Sequence, residues 1–292
     1  MTTLLSWLSV DARAPSALYI VADSRITWGS PARRWDSGRK VFACRSNDLF
    51  GYCGDVIFPV IALGQLTDLI DRDALWSPYA TAEERHAIVL AQLTTSAERR
   101  HRVPDADFTI LHGTRDGDKL QSRFRLWCIR YDAARRRWID TEVILDGITG
   151  SEPLVILGSG RRALLKELRT WQNSPQSGTA RSIFAAFCDS LIAGGDELSG
   201  GVPQLVTLGR SGDGKIVGYV AEEVRYLHGL PIPALVTLDE IEWRDALFTR
   251  ISPASLKPLS NAQRHARVQN PPEGGLTAFL KRIGAVSPSK SK

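Results

Sequence analysis

The strongest constraint on the fold is the order in which strand-like and helix-like segments follow one another. Strand-like runs come first, followed by two amphipathic helices, further strands, two more helices and a closing hairpin. An even alternation of strands and helices would indicate a parallel βαβ sheet. Strands grouped apart from helices indicate antiparallel sheets with helices packed outside them. The sequence therefore predicts the α+β class.

Hydrophobic periodicity and turn residues give the bounds of these segments. The predicted strands are 2–10, 17–22, 40–44, 49–53, 108–113, 123–132, 141–146 and 154–158, and a hairpin of 204–209 with 215–223 closes the series. Predicted helices cover 55–73, 81–101, 158–171 and 179–195. The Thr-Ala-Glu-Glu sequence that starts at Thr81 resembles a capping box, which marks a helix N-terminus.

Composition is that of an ordinary globular protein, with 43% hydrophobic and 24% charged residues. No run of 18 apolar residues and no secretory signal pattern occurs, so we expect a cytoplasmic protein without a membrane segment. Four cysteines and five histidines are scattered without the spacing of a metal site or a disulfide framework. We expect no metal and no cofactor.

Positive charge is concentrated at the C-terminal end of the chain. Residues 253–292 hold seven basic residues and a single acidic one, Glu273. Strand and helix patterns weaken beyond about residue 225, and a short strand and helix are expected within 234–251. We therefore predict a main domain over 1–225, a docked extension over 226–251 and a basic, mobile tail over 252–292.

Three polar residues near the N-terminus could carry chemistry. Thr2 would have both a hydroxyl and a free amine if Met1 were removed, and an N-terminal amine can activate a threonine. Asp23 follows a predicted strand and Lys40 precedes one, so the two could form an inward-facing ion pair that tunes a nearby hydroxyl. Taken singly, each has a more common explanation: an ordinary N-terminus, a turn-forming Asp23 and an exposed Lys40.

Glycine-rich junctions supply a second set of candidates. Gly54 lies in GYCGD, between a predicted strand and the helix after it, where backbone N–H groups suit an oxyanion. Ser159 lies in GSG before a helix, and Asp196 and Ser199 lie in DELSGG before a strand. No GxxxxGK[ST] or GxGxxG motif is present, which argues against nucleotide binding. Glycines at such junctions are also common as simple caps or turns.

All of these patches occur in one chain in the order found in a known family. The chain resembles the β-type subunits of the 20S proteasome and their bacterial relatives, the N-terminal-threonine peptidases of the N-terminal-nucleophile hydrolase superfamily. The resemblance covers about residues 2–222 and rests on MTTLL, VADSR, Lys40-Val41, GYCG, GSG and above all DELSGGVPQLVTL. The chain departs from the family in its longer first hairpin, in GYCGD where relatives have adjacent glycines, and in its C-terminal extension.

The resemblance implies a role for each matching residue. Thr2 would be the nucleophile, Asp23 and Lys40 the ion pair beside it, and the Gly54 N–H the oxyanion donor. The amine of Thr2 and a proton-carrying water would be held by Ser159, Asp196 and Ser199. Arg25 matches a supporting position, and Ile26, Phe42 and Tyr52 match the walls of the first specificity pocket.

The implied fold is a four-layer αββα sandwich, and the implied activity is hydrolysis of peptide bonds by a threonine peptidase inside a homo-oligomeric ring. Peptides or unfolded proteins would be the substrates, and an ATP-dependent unfoldase would be a partner. We expect no membrane partner and no nucleic acid. Two alternatives stay open: a small-molecule amidohydrolase of the same superfamily, and a non-catalytic scaffold whose basic tail binds a partner.

Overall fold

The computed structural model describes residues 2–221, 223–233, 238 and 240–268. In the first half of the chain the elements are β1 Leu4–Val10, β2 Pro15–Ala22, β3 Ile26–Trp28, β4 Ser30–Trp35, β5 Val41–Ala43, β6 Asp48–Gly54, α1 Ile57–Ile70, α2 Ala82–Glu98, β7 Phe108–Asp116, β8 Arg123–Asp132 and β9 Arg137–Glu142. The second half contains β10 Glu152–Leu157, α3 Arg161–Gln172, α4 Ala180–Ala193, β11 Gln204–Gly209, β12 Lys215–Ala221, β13 Val224–Leu227, β14 Leu230–Ile232, β15 Glu242–Arg244 and β16 Arg250–Ile251.

Most of the strands belong to two sheets. The larger has the order β10-β1-β2-β11-β12-β13-β14, with β15 and β16 attached at β12, and the smaller has the order β5-β6-β7-β8-β9. Neighbouring strands are antiparallel except for the β12–β15 pair, which is parallel. The predicted class, with antiparallel sheets and two pairs of helices, is confirmed in the described residues.

Register in the larger sheet brings four chain segments to one edge. Leu4, at the start of β1, pairs with Ala22 at the end of β2 and with Leu157 at the end of β10. Gln204, at the start of β11, pairs with Ala22 from the other side. The residues just outside these strands, which include most of the candidate site residues, therefore meet at this edge.

Three large hydrophobic clusters fill the interior, and a small fourth one joins β12 to β15 and β16. One lies between the larger sheet and the helices α3 and α4, and includes Trp7, Trp171 and Phe184. A second lies between the smaller sheet and the helices α1 and α2. The third joins side chains of both sheets, such as Leu4 and Leu126. Burial of these apolar faces is the main force that holds helices and sheets together.

Helix ends follow the predicted chemistry. At the start of α2, the Thr81 side chain accepts a bond from the Glu84 backbone N–H at 3.2 Å, and Glu84 in return accepts one from the Thr81 N–H at 2.8 Å. The predicted capping box is therefore present. Helix α4 ends at Gly194, whose φ of 65° is the left-handed conformation that glycine adopts without a steric penalty.

Three regions differ from the expectations. The strand predicted at 141–146 is β9 at Arg137–Glu142, because the turn after β8 closes four residues earlier and leaves Val143 and Leu145 to pack beside the third cluster. The exposed hairpin of β3 and β4 was not predicted. Within the extension, the described residues form β15 and β16 where a short helix was expected.

The predicted tail begins as a docked segment. Arg267 forms an ion pair with Asp189 of α4, and the His265 ring lies edge-on to Trp171, 5.5 Å away. These contacts anchor the chain as far as residue 268, so this part is not the free segment that was expected. The rest of the predicted tail, 269–292, lies outside the described residues. Among the described residues, no helix is both long and apolar enough to cross a membrane.

Candidate functional site

Asp23 and Lys40 form a buried ion pair at the edge where the four segments meet. Both side chains are 0% exposed, and the Lys40 Nζ lies 2.8 Å from Asp23 Oδ1. Lys40 also donates to the Arg25 carbonyl oxygen. Burial lowers the pKa of the Lys40 ammonium, while the negative charge of Asp23 opposes that shift. The predicted inward-facing pair is present.

The Asp23 carboxylate is fully hydrogen-bonded. Oδ1 accepts bonds from Lys40 and from the Thr3 backbone N–H at 2.9 Å. Oδ2 accepts the Arg25 N–H at 3.1 Å and the Gly200 N–H at 2.8 Å. Two carboxylate oxygens offer about four acceptor positions, and here each is used. Asp23 therefore orients its neighbours, because each acceptor position of its carboxylate is taken by a donor.

Thr2 and Thr3 are both 1% exposed. The Thr2 carbonyl oxygen lies so close to Gly158, at φ +89°, that a Cβ atom there would collide with it. A Cβ atom on Gly160 would likewise collide with Thr3 Oγ1. The two glycines of the GSG motif are therefore needed for close backbone approach to the first two threonines, a role that the sequence alone did not indicate.

Ser159, Asp196 and Ser199 lie together, as the resemblance implied. Each serine hydroxyl donates to Asp196 Oδ2 at 2.7 Å. Thr3 Oγ1 donates to Ser199 Oγ at 2.7 Å and so connects this cluster to the start of β1. Thr3 is a member of the network that sequence reasoning missed.

Arg25 links two parts of the site. Its guanidinium forms a bidentate pair with Asp36, at 2.6 and 2.9 Å, which raises the pKa of Arg25. It also donates to the Glu197 carbonyl at 2.9 Å and to the Ser199 carbonyl at 3.3 Å. The supporting position predicted for Arg25 thus holds the loop that carries Asp196 and Ser199. Its partner Asp36 gave no signal in the sequence.

Gly54 ends β6 opposite Phe108, with a φ of +99°. A side chain there would collide with the Asp107 carbonyl oxygen, so the conformation and the space both require glycine. In the described residues, Gly54 stands outside the hydrogen-bonded cluster around Asp23 and Asp196. Its predicted role as an oxyanion donor stays a prediction.

The residues expected to line the first specificity pocket do not form an open one. Ile26, Phe42 and Tyr52 are 3%, 1% and 0% exposed. Phe42 and Tyr52 lie in the cluster under α1, and the Tyr52 hydroxyl donates to the Arg39 carbonyl at 2.9 Å. The Arg39 guanidinium covers the Phe42 ring at 4.1 Å. These three side chains are therefore packed in the interior, and their predicted role in a specificity pocket stays a prediction.

Comparisons with known proteins give matches among solved structures but none by sequence. No protein-family model matches the sequence, and no curated protein matches it. Among solved structures, BPH of Thiobacillus denitrificans, in complex with epoxomicin, is similar with a TM-score of 0.44 and 14% identity, over 72% of this chain and 100% of that one. Eukaryotic HslV from Trypanosoma brucei is similar with a TM-score of 0.42 and 14% identity, over 71% of this chain and 99% of that one. At these scores, neither assigns a residue role or a substrate to this chain.

Proposed function

We propose that this protein is an N-terminal-threonine peptidase in which Thr2 attacks a peptide carbonyl after Met1 has been removed. The observation that carries the proposal is the hydrogen bond from the Thr3 N–H to Asp23 Oδ1, at 2.9 Å, on the same oxygen that contacts Lys40. Standard bond lengths then keep the Thr2 Cα within about 5 Å of that oxygen. The nucleophile is therefore one peptide bond away from the buried ion pair.

Lys40 supports the proposal through its hydrogen-bonding capacity. An ammonium group has three donors, and two of them are directed at Asp23 and at the Arg25 carbonyl. The third can be directed at Thr2 Oγ1. A positive charge beside a hydroxyl stabilises the alkoxide and lowers the pKa of that hydroxyl. Lys40 would in this way make Thr2 a better nucleophile without itself taking the proton.

Proton transfer needs a base, and Asp23 has no free acceptor position. The Thr2 α-amine fits this role, because a free α-amino group has a pKa of about 7.7–8.0 and is partly neutral near pH 7. Asp196, with its serine partners Ser159 and Ser199, provides a carboxylate and hydroxyls that can hold the amine and a water between it and Thr2 Oγ1.

The reaction would then proceed in two steps. Thr2 Oγ1 attacks the carbonyl carbon, its proton passes through the water to the amine, and the oxyanion is stabilised by the Gly54 N–H. The leaving amine takes that proton as the C–N bond breaks, which leaves an ester on Thr2. A water molecule, deprotonated by the same amine, hydrolyses the ester and releases the acid product.

The family resemblance extends the proposal beyond the site. We assign the two sheets and two helix pairs to a four-layer αββα sandwich, and the assembly to a cytoplasmic homo-oligomeric ring with inward-facing sites. In such a ring, an ATP-dependent unfoldase would supply unfolded protein as substrate.

Replacement of Thr2 tests the proposal. We expect Thr2→Ala to lower the hydrolysis of a fluorogenic peptide by at least about 10³-fold, because the nucleophile is lost. Thr95→Ala, on the exposed face of α2, is the matched control and should keep full activity. Intact mass should show that Met1 is absent from the active protein. Unchanged hydrolysis by Thr2→Ala, or full activity with Met1 retained, would contradict the proposal.

The same assays separate the two alternatives. Hydrolysis of simple amides but not of peptides, still dependent on Thr2, would favour the amidohydrolase. An absence of any hydrolysis, together with loss of partner binding when residues 269–292 are deleted, would favour the scaffold.

A further inference from the structure

Gln204 bridges the two chain segments that carry the partners of the ion pair. It opens β11, is 2% exposed and pairs with Ala22, the residue before Asp23. Asp23 follows a strand of the larger sheet, whereas Lys40 precedes the first strand of the smaller sheet. A residue at this position can therefore control how the two sheets meet at the ion pair.

The Gln204 side-chain amide uses all of its hydrogen-bonding groups. Its Oε1 accepts the Lys40 backbone N–H at 3.1 Å. Its Nε2 donates to the Gly38 carbonyl at 2.6 Å, to Ser24 Oγ at 3.0 Å and, at the longer distance of 3.5 Å, to the Asp23 carbonyl. The orientation of the amide follows from these partners, since the Lys40 N–H can only donate and the Gly38 carbonyl can only accept.

Through these bonds, Gln204 connects the segment that contains Gly38 and Lys40 to the segment that contains Asp23 and Ser24. The Lys40 side chain has four methylenes and many rotamers, so the position of its ammonium depends on how firmly the Lys40 backbone is held. The backbone bond to Gln204 fixes the point from which that side chain extends. Ser24 is held in turn by its own bond to the Val202 carbonyl, at 2.5 Å, next to β11.

We propose that Gln204 is a positioning residue that sets the Asp23–Lys40 geometry for the reaction of Thr2. The proposal rests on the proposed function, because positioning matters only if the ion pair assists Thr2. Gln204 touches neither substrate nor the reacting atoms. Its effect passes through the Lys40 backbone.

Two variants test this role in the full-length protein. Gln204→Met keeps the shape but removes every hydrogen bond of the side chain, and we expect kcat to fall on the order of 10–100-fold with little change in KM. Gln204→Glu keeps an acceptor for the Lys40 N–H and adds a negative charge near the ammonium. It should move the basic limb of the pH profile of kcat/KM to higher pH. Gln92→Met and Gln92→Glu, on the exposed face of α2, are the matched controls.

A second readout does not depend on activity. The ammonium of Lys40 can be titrated by NMR in protein labelled at lysine, with the signal assigned by its absence in Lys40→Arg. We expect its pKa to be higher in Gln204→Glu than in the wild type. If Gln204→Glu does not fold, Gln204→Met is the test: a lower kcat with little change in KM supports the positioning role, and an unchanged kcat overturns it.

The outcomes separate the two proposals. A raised Lys40 pKa in a protein without peptidase activity would show that residue 204 acts on the ion pair, but it would contradict the proposed function and with it the positioning role in catalysis. Full kcat in Gln204→Met, or an unchanged Lys40 pKa in a folded Gln204→Glu, would overturn the positioning role. The proposed function would still stand on the Thr2 variants.

Discussion

Removing one charge of the buried ion pair should destabilise the fold far more than removing one charge of a pair on the surface. Asp23 and Lys40 are 0% exposed, so removing one partner leaves the other charge desolvated and uncompensated. Such losses cost about 3–5 kcal/mol. Asp23→Asn has a further cost, because an amide directs two hydrogens at groups that are themselves donors.

The test is a double-mutant cycle with Asp23→Asn, Lys40→Met and the double variant. Each single change should lower the free energy of unfolding by about 3–5 kcal/mol. The double variant should lose less than the sum, with a coupling energy of about 2–3 kcal/mol. Urea denaturation followed by tryptophan fluorescence at pH 7 measures these quantities.

A surface pair provides the control. Asp68, in the last turn of α1, and Arg72, two residues beyond the helix end, are 65% and 69% exposed. The cycle of Asp68→Asn with Arg72→Met should give a coupling energy of about 0.3–0.5 kcal/mol. If the Asp23–Lys40 cycle gave a coupling as small as this, the pair would be solvated in solution and the reasoning about its role beside Thr2 would fail.

Two further predictions concern pH dependence and helix capping. Burial, together with the charge of Arg39, lowers the pKa of His228 from 6.5 to about 3. Between those pH values the unfolded chain binds a proton at His228 that the folded protein does not. The free energy of unfolding of the wild type should therefore fall, relative to that of His228→Asn, by up to about 1.4 kcal/mol for each unit by which the pH is lowered. Asn tolerates the φ of 50° at this position. Urea denaturation at pH 7 and at pH 4.5 measures the free energy of unfolding of both proteins, and a difference between them that is the same at the two pH values would refute the account. Thr81→Ala should cost about 1 kcal/mol by loss of the α2 cap, measured against Thr95→Ala.

The sequence predicted best what local chemistry decides. Helix α2 has a capping box at Thr81 and a regular apolar face, so its start could be predicted to the residue. Strand β9 was misplaced because Val143 and Leu145 continue the apolar pattern of a strand although they leave the sheet to pack in the interior. The β3–β4 hairpin is exposed on both faces at Trp28 and Arg34, so it lacks the alternation by which strands are recognised.

Within the site, the residues that sequence reasoning identified lie in short motifs beside strand ends. Asp23 and Lys40 were found as candidates for an ion pair, and the structure brings them to 2.8 Å. Gln204 and Asp36 were missed because their partners are set by tertiary packing. Gln204 is 164 residues away from the Lys40 N–H that it accepts, and no local pattern encodes such a contact.

Strand β9 lies at the margin of the smaller sheet, and its charged side chains restrict how copies of this protein can meet. Arg137, Asp140 and Glu142 are exposed along a strand of only six residues. Adding a foreign strand there would cost desolvation of these groups, which is how natural proteins discourage continuous β-sheet growth between molecules. Self-association of this chain, whatever its symmetry, would therefore leave this margin in water.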